Sequence, residues 1–261
     1  MDHMTMSQGT GVRYDAIGHD YAAYRRPDPR ISAAVHAALG DAQTVVNVGA
    51  GAGSYEPVDR PVIPVDPSRV MALQRARTRP PAVLGVAENL PLADGAVDAA
   101  MAVMTINHWA DVERGLAELV RVASKRVVLL TTDMDVAAEM WLLRDYLPGV
   151  VERNRREFPT IARIEATLNA PTRVVTVPVP ADCTDGFTLS FWSRPEAVFD
   201  PAARAATSEF ARMDPTAETE AVERLARDLE AGIWDRANGH LRTCPVLDVG
   251  LRLLVAEMTP S

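Results

Sequence analysis

Through residues 31–133, short apolar runs alternate with segments of helical spacing. Ile31–Leu39 places its apolar residues on one helix face and meets Gly40, a residue suited to a helix end. Thr44–Val48 is a β-branched run stopping at glycine, which predicts a buried strand feeding a turn. Pro61–Val65 predicts a second strand, stopping at Asp66. Ser68–Arg77 predicts a helix and Ala82–Val86 a third strand, followed by a turn at Pro91–Gly95. Val97–Met104 is apolar apart from Asp98. A strand without alternation is buried on both faces, as in a parallel sheet between helix layers. Asp111 opens a helix running to about Ala123, with Leu116, Leu119 and Val120 on one face, and Arg126–Leu130 is a fifth strand. This alternation predicts βαβ crossovers and a doubly wound sheet.

After Thr132 the rhythm changes. Val136–Leu147 and Val151–Leu168 predict helices separated by Pro148 and Gly149, the second with a break at Pro159. Thr172–Val177 and Leu247–Ala256 supply two more strands, and 201–233 is helical and strongly charged. The expected fold is therefore α/β: a doubly wound, Rossmann-like, seven-stranded and mostly parallel sheet.

Charge narrows the partners. With 35 acidic against 27 basic residues, the net charge is -8, which disfavours phosphate backbones and anionic lipid. The expectation is a small-molecule ligand, with neither nucleic acid nor membrane as partner; monomer and homodimer both stay open. No apolar run reaches the length of a membrane span, and Met1–Gly11 lacks the basic-then-apolar order of a secretory signal. Two cysteines, Cys183 and Cys244, make no disulfide framework, so a reducing, cytoplasmic setting is expected. No metal site is expected: there is no His-Glu-x-x-His or paired Cys-x-x-Cys, and Asp133/Asp135 and Asp182/Asp185 read as solvated turns.

The chemistry concentrates where the first strand ends. Val45–Val48 runs into Gly49, Gly51 and Gly53, glycines at every second position. Glycine permits positive φ and lets a ligand touch the backbone. The carboxyl end of the first strand is where doubly wound sheets bind nucleotides. The dinucleotide fingerprint needs its third glycine one place later, where Ser54 stands, so pyrophosphate is disfavoured; no Lys-Ser/Thr follows for a P-loop. Asp66 ends the second strand, where a carboxylate can accept from both ribose hydroxyls. Glu88 follows the third strand, placed to read the amino edge of adenine.

In these residues, over about Tyr14–Thr132, the chain resembles the class I S-adenosylmethionine-dependent methyltransferases of bacterial small-molecule metabolism. The resemblance is carried by Val46–Gly53, Val65–Ser68, Gly85–Pro91 with Asp94–Asp98, and Leu116–Val122. It implies S-adenosylmethionine as cofactor, with Gly49, Gly51 and Gly53 against its methionine part and Asp66 on its ribose. It implies Ala87 and Glu88 near adenine, and Met104 and Thr105 beside the sulfonium. Asn47 stands where the family usually carries Asp or Glu, which removes a charge from the ammonium end. Tyr14–Arg26 resembles a helical flap over the cofactor. Tyr14 and Tyr21 share one helix face and can cover a cation, and Arg25 or Arg26 can pair with the methionine carboxylate. The implied layout is a tail and flap at 1–30, a cofactor-binding core at 31–133, a helical cap with returning strands at 134–246 on the substrate side, and a last core strand and tail at 247–261.

Methyl transfer is an in-line displacement, so the protein contributes alignment, exclusion of water and, where the nucleophile carries a proton, a base. His108, in Met104–Trp109 after the fourth strand, is the first candidate for that base and His19 the second. Trp141, Tyr146, Phe158, Phe187, Phe191 and Trp192 can wall a substrate pocket or fill the core. Two readings compete: a methyltransferase-like binding protein without catalysis, for which Asn47 leaves room, and a nicotinamide-dependent reductase.

Overall fold

The computed structural model describes residues 24–258. Pro27 and Pro29 keep the chain extended up to Asp28, whose carboxylate accepts from the Arg30 amide at 2.9 Å and starts α1 (Pro29–Leu39). The winding half continues through β1 (Val45–Val48), β2 (Val62–Asp66), α2 (Arg69–Leu73), β3 (Val83–Leu84), β4 (Val97–Val103), α3 (Val112–Val122) and β5 (Ala123–Thr132). The second half holds α4 (Met134–Ala137), α5 (Pro148–Glu157), α6 (Ile161–Leu168), β6 (Thr172–Thr176), β7 (Val179–Pro180), α7 (Pro201–Ala205), α8 (Ser208–Ala211), α9 (Pro215–Glu230), α10 (Ile233–Asn238), β8 (Val246–Leu247) and β9 (Leu251–Glu257).

The seven strands of the main sheet run β3-β2-β1-β4-β5-β9-β6. The first five are mutually parallel, while β9 is antiparallel to both β5 and β6. This is the expected doubly wound, mostly parallel sheet. From β1 the chain winds outward through β2 and β3, then returns to β4 on the other side of β1. That reversal opens a crevice beyond the carboxyl ends of β1 and β4. Side chains of β4 alternate between the layers: Met101 packs with Ile31, Leu39 and Trp141 on one face, Ala100 and Ala102 with Leu116, Leu119 and Ile164 on the other. The first cluster runs on through Trp192 and Trp234, so α1 and the 134–246 region share one apolar core.

Four elements differ from expectation. The helix expected over Ser68–Arg77 stops at Leu73, because Arg75 turns inward to Glu56 at 2.7 Å and to the Pro80 carbonyl at 2.9 Å. β3 is two residues long, an exposed edge strand preceded by Pro80 and Pro81. In place of a helix over Val136–Leu147 there is the single turn α4 and then a π-helical turn, Leu142–Tyr146. Between them Trp141 is buried, its indole N–H donating to the Trp192 carbonyl at 2.7 Å, so long-range packing overrides local propensity. The last strand begins at Leu251, because Gly250 turns the chain at φ 92 and Val246–Leu247 pairs with β7 instead.

Asp28 also ties the two halves together. Its carboxylate pairs with Arg30 at 2.7 Å and accepts from the Thr184 amide at 3.2 Å. The Arg30 guanidinium, followed by these amides, holds its pKa down to about 2. A depressed carboxylate adds stability above its unfolded value, lost as pH falls through the folded one. Asp28→Asn keeps a competent helix cap and should cost about 1 kcal/mol at pH 6, discounted because Arg30 is half exposed. The gap from wild type should close between about pH 4 and pH 2, measured by urea unfolding. A gap that stays constant over that range would show that the charge contributes nothing.

Candidate active site

The turn after β1 is possible only with glycine. Gly49 has φ 72, and a Cβ there would lie 2.1 Å from Thr105 Oγ1. The turn is stitched to β2 by Gly49 and Ala50 amides, both donating to the Val65 carbonyl at 2.9 and 3.1 Å. The Gly51 amide donates to Asp66 Oδ2 at 2.7 Å, and the Ser68 amide to Oδ1 at 2.8 Å. Asp66, 6% exposed, is thereby fixed at the end of β2 with its carboxylate facing the bend.

Around this bend lies a cleft of about 940 Å³, counted out to its mouth. Of the residues expected at the cofactor, Arg25, Asn47, Gly49, Gly51, Asp66, Ala87, Glu88, Met104 and Thr105 all line it, and so does His108. Tyr14, His19 and Tyr21 lie outside the described residues. Gly53 is a correction. It does not line the cleft; at φ 93 its bare backbone makes room for Arg79 and Arg75, with Arg79 Cδ 2.7 Å from where a Cβ would stand.

Asn47 is buried, and its Nδ2 donates to Glu56 Oε1 at 3.0 Å. A carboxylate only accepts, so the amide orientation is determined, and Oδ1 is left without that partner. That Oδ1 is buried and accepts no hydrogen bond among the described residues. Glu56 is in turn paired with Arg75 at 2.7 Å and Arg79 at 3.2 Å, its side chain fully buried. Glu88 Oε1 accepts from the Ala110 and Asp111 amides at 2.7 and 3.1 Å, which anchors the loop before α3. Glu118 and Arg121 hold the neighbouring loop through the Leu90 amide and the Leu90 and Leu92 carbonyls.

At the other end, three residues from distant segments meet. Arg25 Nε lies 2.5 Å from Asp185 Oδ1, and the Tyr55 hydroxyl donates to Asp185 Oδ2 at 2.7 Å. Asp185 is 2% exposed, which corrects its reading as a solvated turn residue; its neighbour Asp182 is exposed. Burial first, and then the Asp185 charge, push the Tyr55 phenol far above its ordinary pKa, so it stays a donor. Burial also raises the Cys183 thiol to about 12, which leaves it inert. His36 Nε2 bonds the Tyr55 carbonyl at 3.0 Å and props the end of the turn.

His108 sits on the 3₁₀ turn Ile106–His108 and is 9% exposed. It lies where the cleft meets a side pocket of about 520 Å³, and Arg25 and Met104 also border both. Of the six aromatic residues flagged in the sequence, Phe158 and Phe187 line the side pocket. Trp141, Phe191 and Trp192 are core, and Tyr146 faces another hollow. Glu56, Tyr55, Asp185 and Trp109 were not expected in or behind the site. No local motif marks the first three; Trp109 was marked only by adjacency to His108.

A glycine bend and a β2 carboxylate at the switch point of a doubly wound sheet define a nucleoside-binding Rossmann-like domain. The methyltransferase-domain family matches residues 46–131. No curated protein matches the sequence. Among solved structures, a methyltransferase ascribed to an antibiotic biosynthesis pathway of Anabaena variabilis is 30% identical, with TM-score 0.82 over 90% of this chain and 99% of that one. An S-adenosylmethionine-dependent methyltransferase of Thermotoga maritima shares the fold at 17% identity, TM-score 0.57, over 96% and 99% of the two chains. A geranyl diphosphate C-methyltransferase of Streptomyces coelicolor, solved with S-adenosylhomocysteine, does so at 15%, TM-score 0.50, over 88% and 75%. The chain belongs to the class I S-adenosylmethionine-dependent methyltransferases, and S-adenosylmethionine is its cofactor. The reductase and non-catalytic readings fall with that assignment. Among the described residues no helix is long and apolar enough to cross a membrane.

Proposed function

We propose that the enzyme methylates a small-molecule acceptor, of the kind found in specialised metabolism, bound in the side pocket. The observation that carries this is the junction of the two cavities at Arg25, Met104 and His108. A recess between the core and the 134–246 region, rather than an open groove along the surface, suits a small molecule and not a polymer. Phe158, Phe187, Thr188 and Glu209 from the 134–246 region wall it, which supports that region as the substrate side. An acidic chain with two free cysteines fits a cytoplasmic enzyme.

The residues fit the cofactor. The orphaned Asn47 Oδ1 matches a donor such as the ammonium of the methionine part, beside the bare backbone of Gly49 and Gly51. Asp66 would hold the ribose hydroxyls, Ala87 and Glu88 the adenine, and Met104 and Thr105 would stand beside the sulfonium. When bound, S-adenosylmethionine supplies an electrophilic methyl group. The chain's own part is to exclude water, align the acceptor and receive its proton, for which His108 is placed at the junction.

Incubation with methyl-labelled S-adenosylmethionine and a panel of small phenols and amines, beside tRNA and bulk protein, tests the substrate class. Label is expected in small molecules alone; label in the polymers would refute it. With any acceptor so found, His108→Ala should lower kcat/KM by about 10²–10⁴ and remove the acid limb of its pH profile. A base must be deprotonated to work, so wild-type activity falls at low pH. A variant keeping that limb would exclude His108.

A further inference from the structure

We infer that the acceptor is neutral or cationic, with a compact apolar body and a hydroxyl or amine that donates a hydrogen bond, and that Glu209 selects it against anions. This rests on the reading of the side pocket as the acceptor site. Phe158, Phe187, Leu189 and Leu251 make one part of the pocket apolar. The polar part is unusual in what it offers. The Thr188 hydroxyl donates to Glu209 Oε2 at 2.6 Å, and the Ser208 hydroxyl to the same oxygen at 3.2 Å. Each hydroxyl has one proton, and both are spent on Glu209. That end therefore presents oxygen lone pairs to a ligand: the carboxylate and two hydroxyl oxygens whose hydrogens point away.

The charges agree. Among the described residues Arg25 is the cation on the wall, and Asp185 at 2.5 Å offsets it. Glu209 forms no ion pair among the described residues. Arg153 reaches its backbone carbonyl, at 3.3 Å, and Arg212 is committed to Glu157. Counting Asp185 behind Arg25, and with His108 neutral, the described residues in and behind the lining carry one net negative charge. A carboxylate or phosphate placed at the Glu209 end would meet like charge and acceptor oxygens, while a donor, above all a cationic one, would find a charge-assisted bond there. Nothing in the sequence brings Glu209 to Thr188; α8 and the turn beginning at Thr188 are joined only by the fold.

Benzylamine, benzyl alcohol and benzoate share one ring and differ in charge. Their affinities are to be measured by calorimetry at pH 7, with and without S-adenosylhomocysteine. Benzylamine should bind at least ten times more tightly than benzoate, with the alcohol between them. Glu209→Gln should shrink the amine-to-benzoate ratio at least fivefold. Benzoate binding as well as the amine, an amine that does not bind, or a ratio unchanged in a folded Glu209→Gln protein would each overturn the inference. The wild-type ranking stands independently of whether the variant folds. Affinity for S-adenosylhomocysteine comes from the same titrations. Its absence would strike the assignment of the cofactor cleft, whereas its presence with the wrong ranking would strike only the acceptor chemistry.

Discussion

Asp66→Ala is expected to weaken S-adenosylhomocysteine binding by roughly 3–4 kcal/mol, a few hundredfold, on the scale of two lost charge-assisted hydrogen bonds. Two effects converge. The carboxylate is the ribose ligand in the proposed site. It also fixes the bend through the Gly51 amide at 2.7 Å and its own turn through the Ser68 amide at 2.8 Å. Without it, two donors, one of them buried, lose their acceptor and the backbone that touches the methionine part loosens. Isothermal titration measures the first effect and thermal unfolding the second. The two are separated by Asp66→Asn, which keeps the shape and one acceptor oxygen but turns a donor toward one of the two amides. Its affinity should fall between those of alanine and wild type. An Asp66→Ala protein that binds within threefold of wild type would remove Asp66 from the site.

How much of this was legible in the sequence follows from the range of each interaction. β1, β2 and β4 are readable because a strand buried on both faces must be apolar throughout, and Asp66 and Gly49 because backbone geometry restricts those positions. α2 was read too long because its end is set by Arg75, whose partner Glu56 is nineteen residues away. The π-helical turn at Leu142–Tyr146 follows from the burial of Trp141 against Trp192, a contact spanning 51 residues. Asp185 was misread for the same reason. In sequence it is one of several aspartates in a polar loop; in the fold it meets Arg25 and Tyr55, 160 and 130 residues earlier in the chain. The glycine bend was legible as a bend, but its third glycine serves packing against Arg79, a role that motif spacing cannot separate from ligand contact.

Asn47 is the departure that the sequence could flag but not explain, and Glu56 is its physical counterpart. An acid at position 47 would place two carboxylates about 3 Å apart in a buried site, where both cannot stay ionised. The amide avoids this: it donates a hydrogen bond to Glu56 and leaves its own oxygen unpaired among the described residues. Glu56 is therefore a positioning residue, and it also balances Arg75, whose side chain is 3% exposed. Glu56→Gln should cost about 3–5 kcal/mol of stability, the range for leaving a buried charge without its partner. At about 2–4 °C per kcal/mol for a chain of this size, the melting temperature should fall by roughly 6–20 °C. The same change frees the Asn47 amide to flip, because a glutamine can either donate to it or accept from it. Affinity for S-adenosylhomocysteine should therefore fall as well, measured well below the lowered melting temperature. Asn47→Ala separates the two effects, since it removes the unpaired Oδ1 acceptor but leaves the Glu56–Arg75 pair intact: affinity should drop with little loss of the pair's stability. If Glu56→Gln melts within about 2 °C of wild type, the buried pair is not what holds this turn, and the account of Asn47 fails with it.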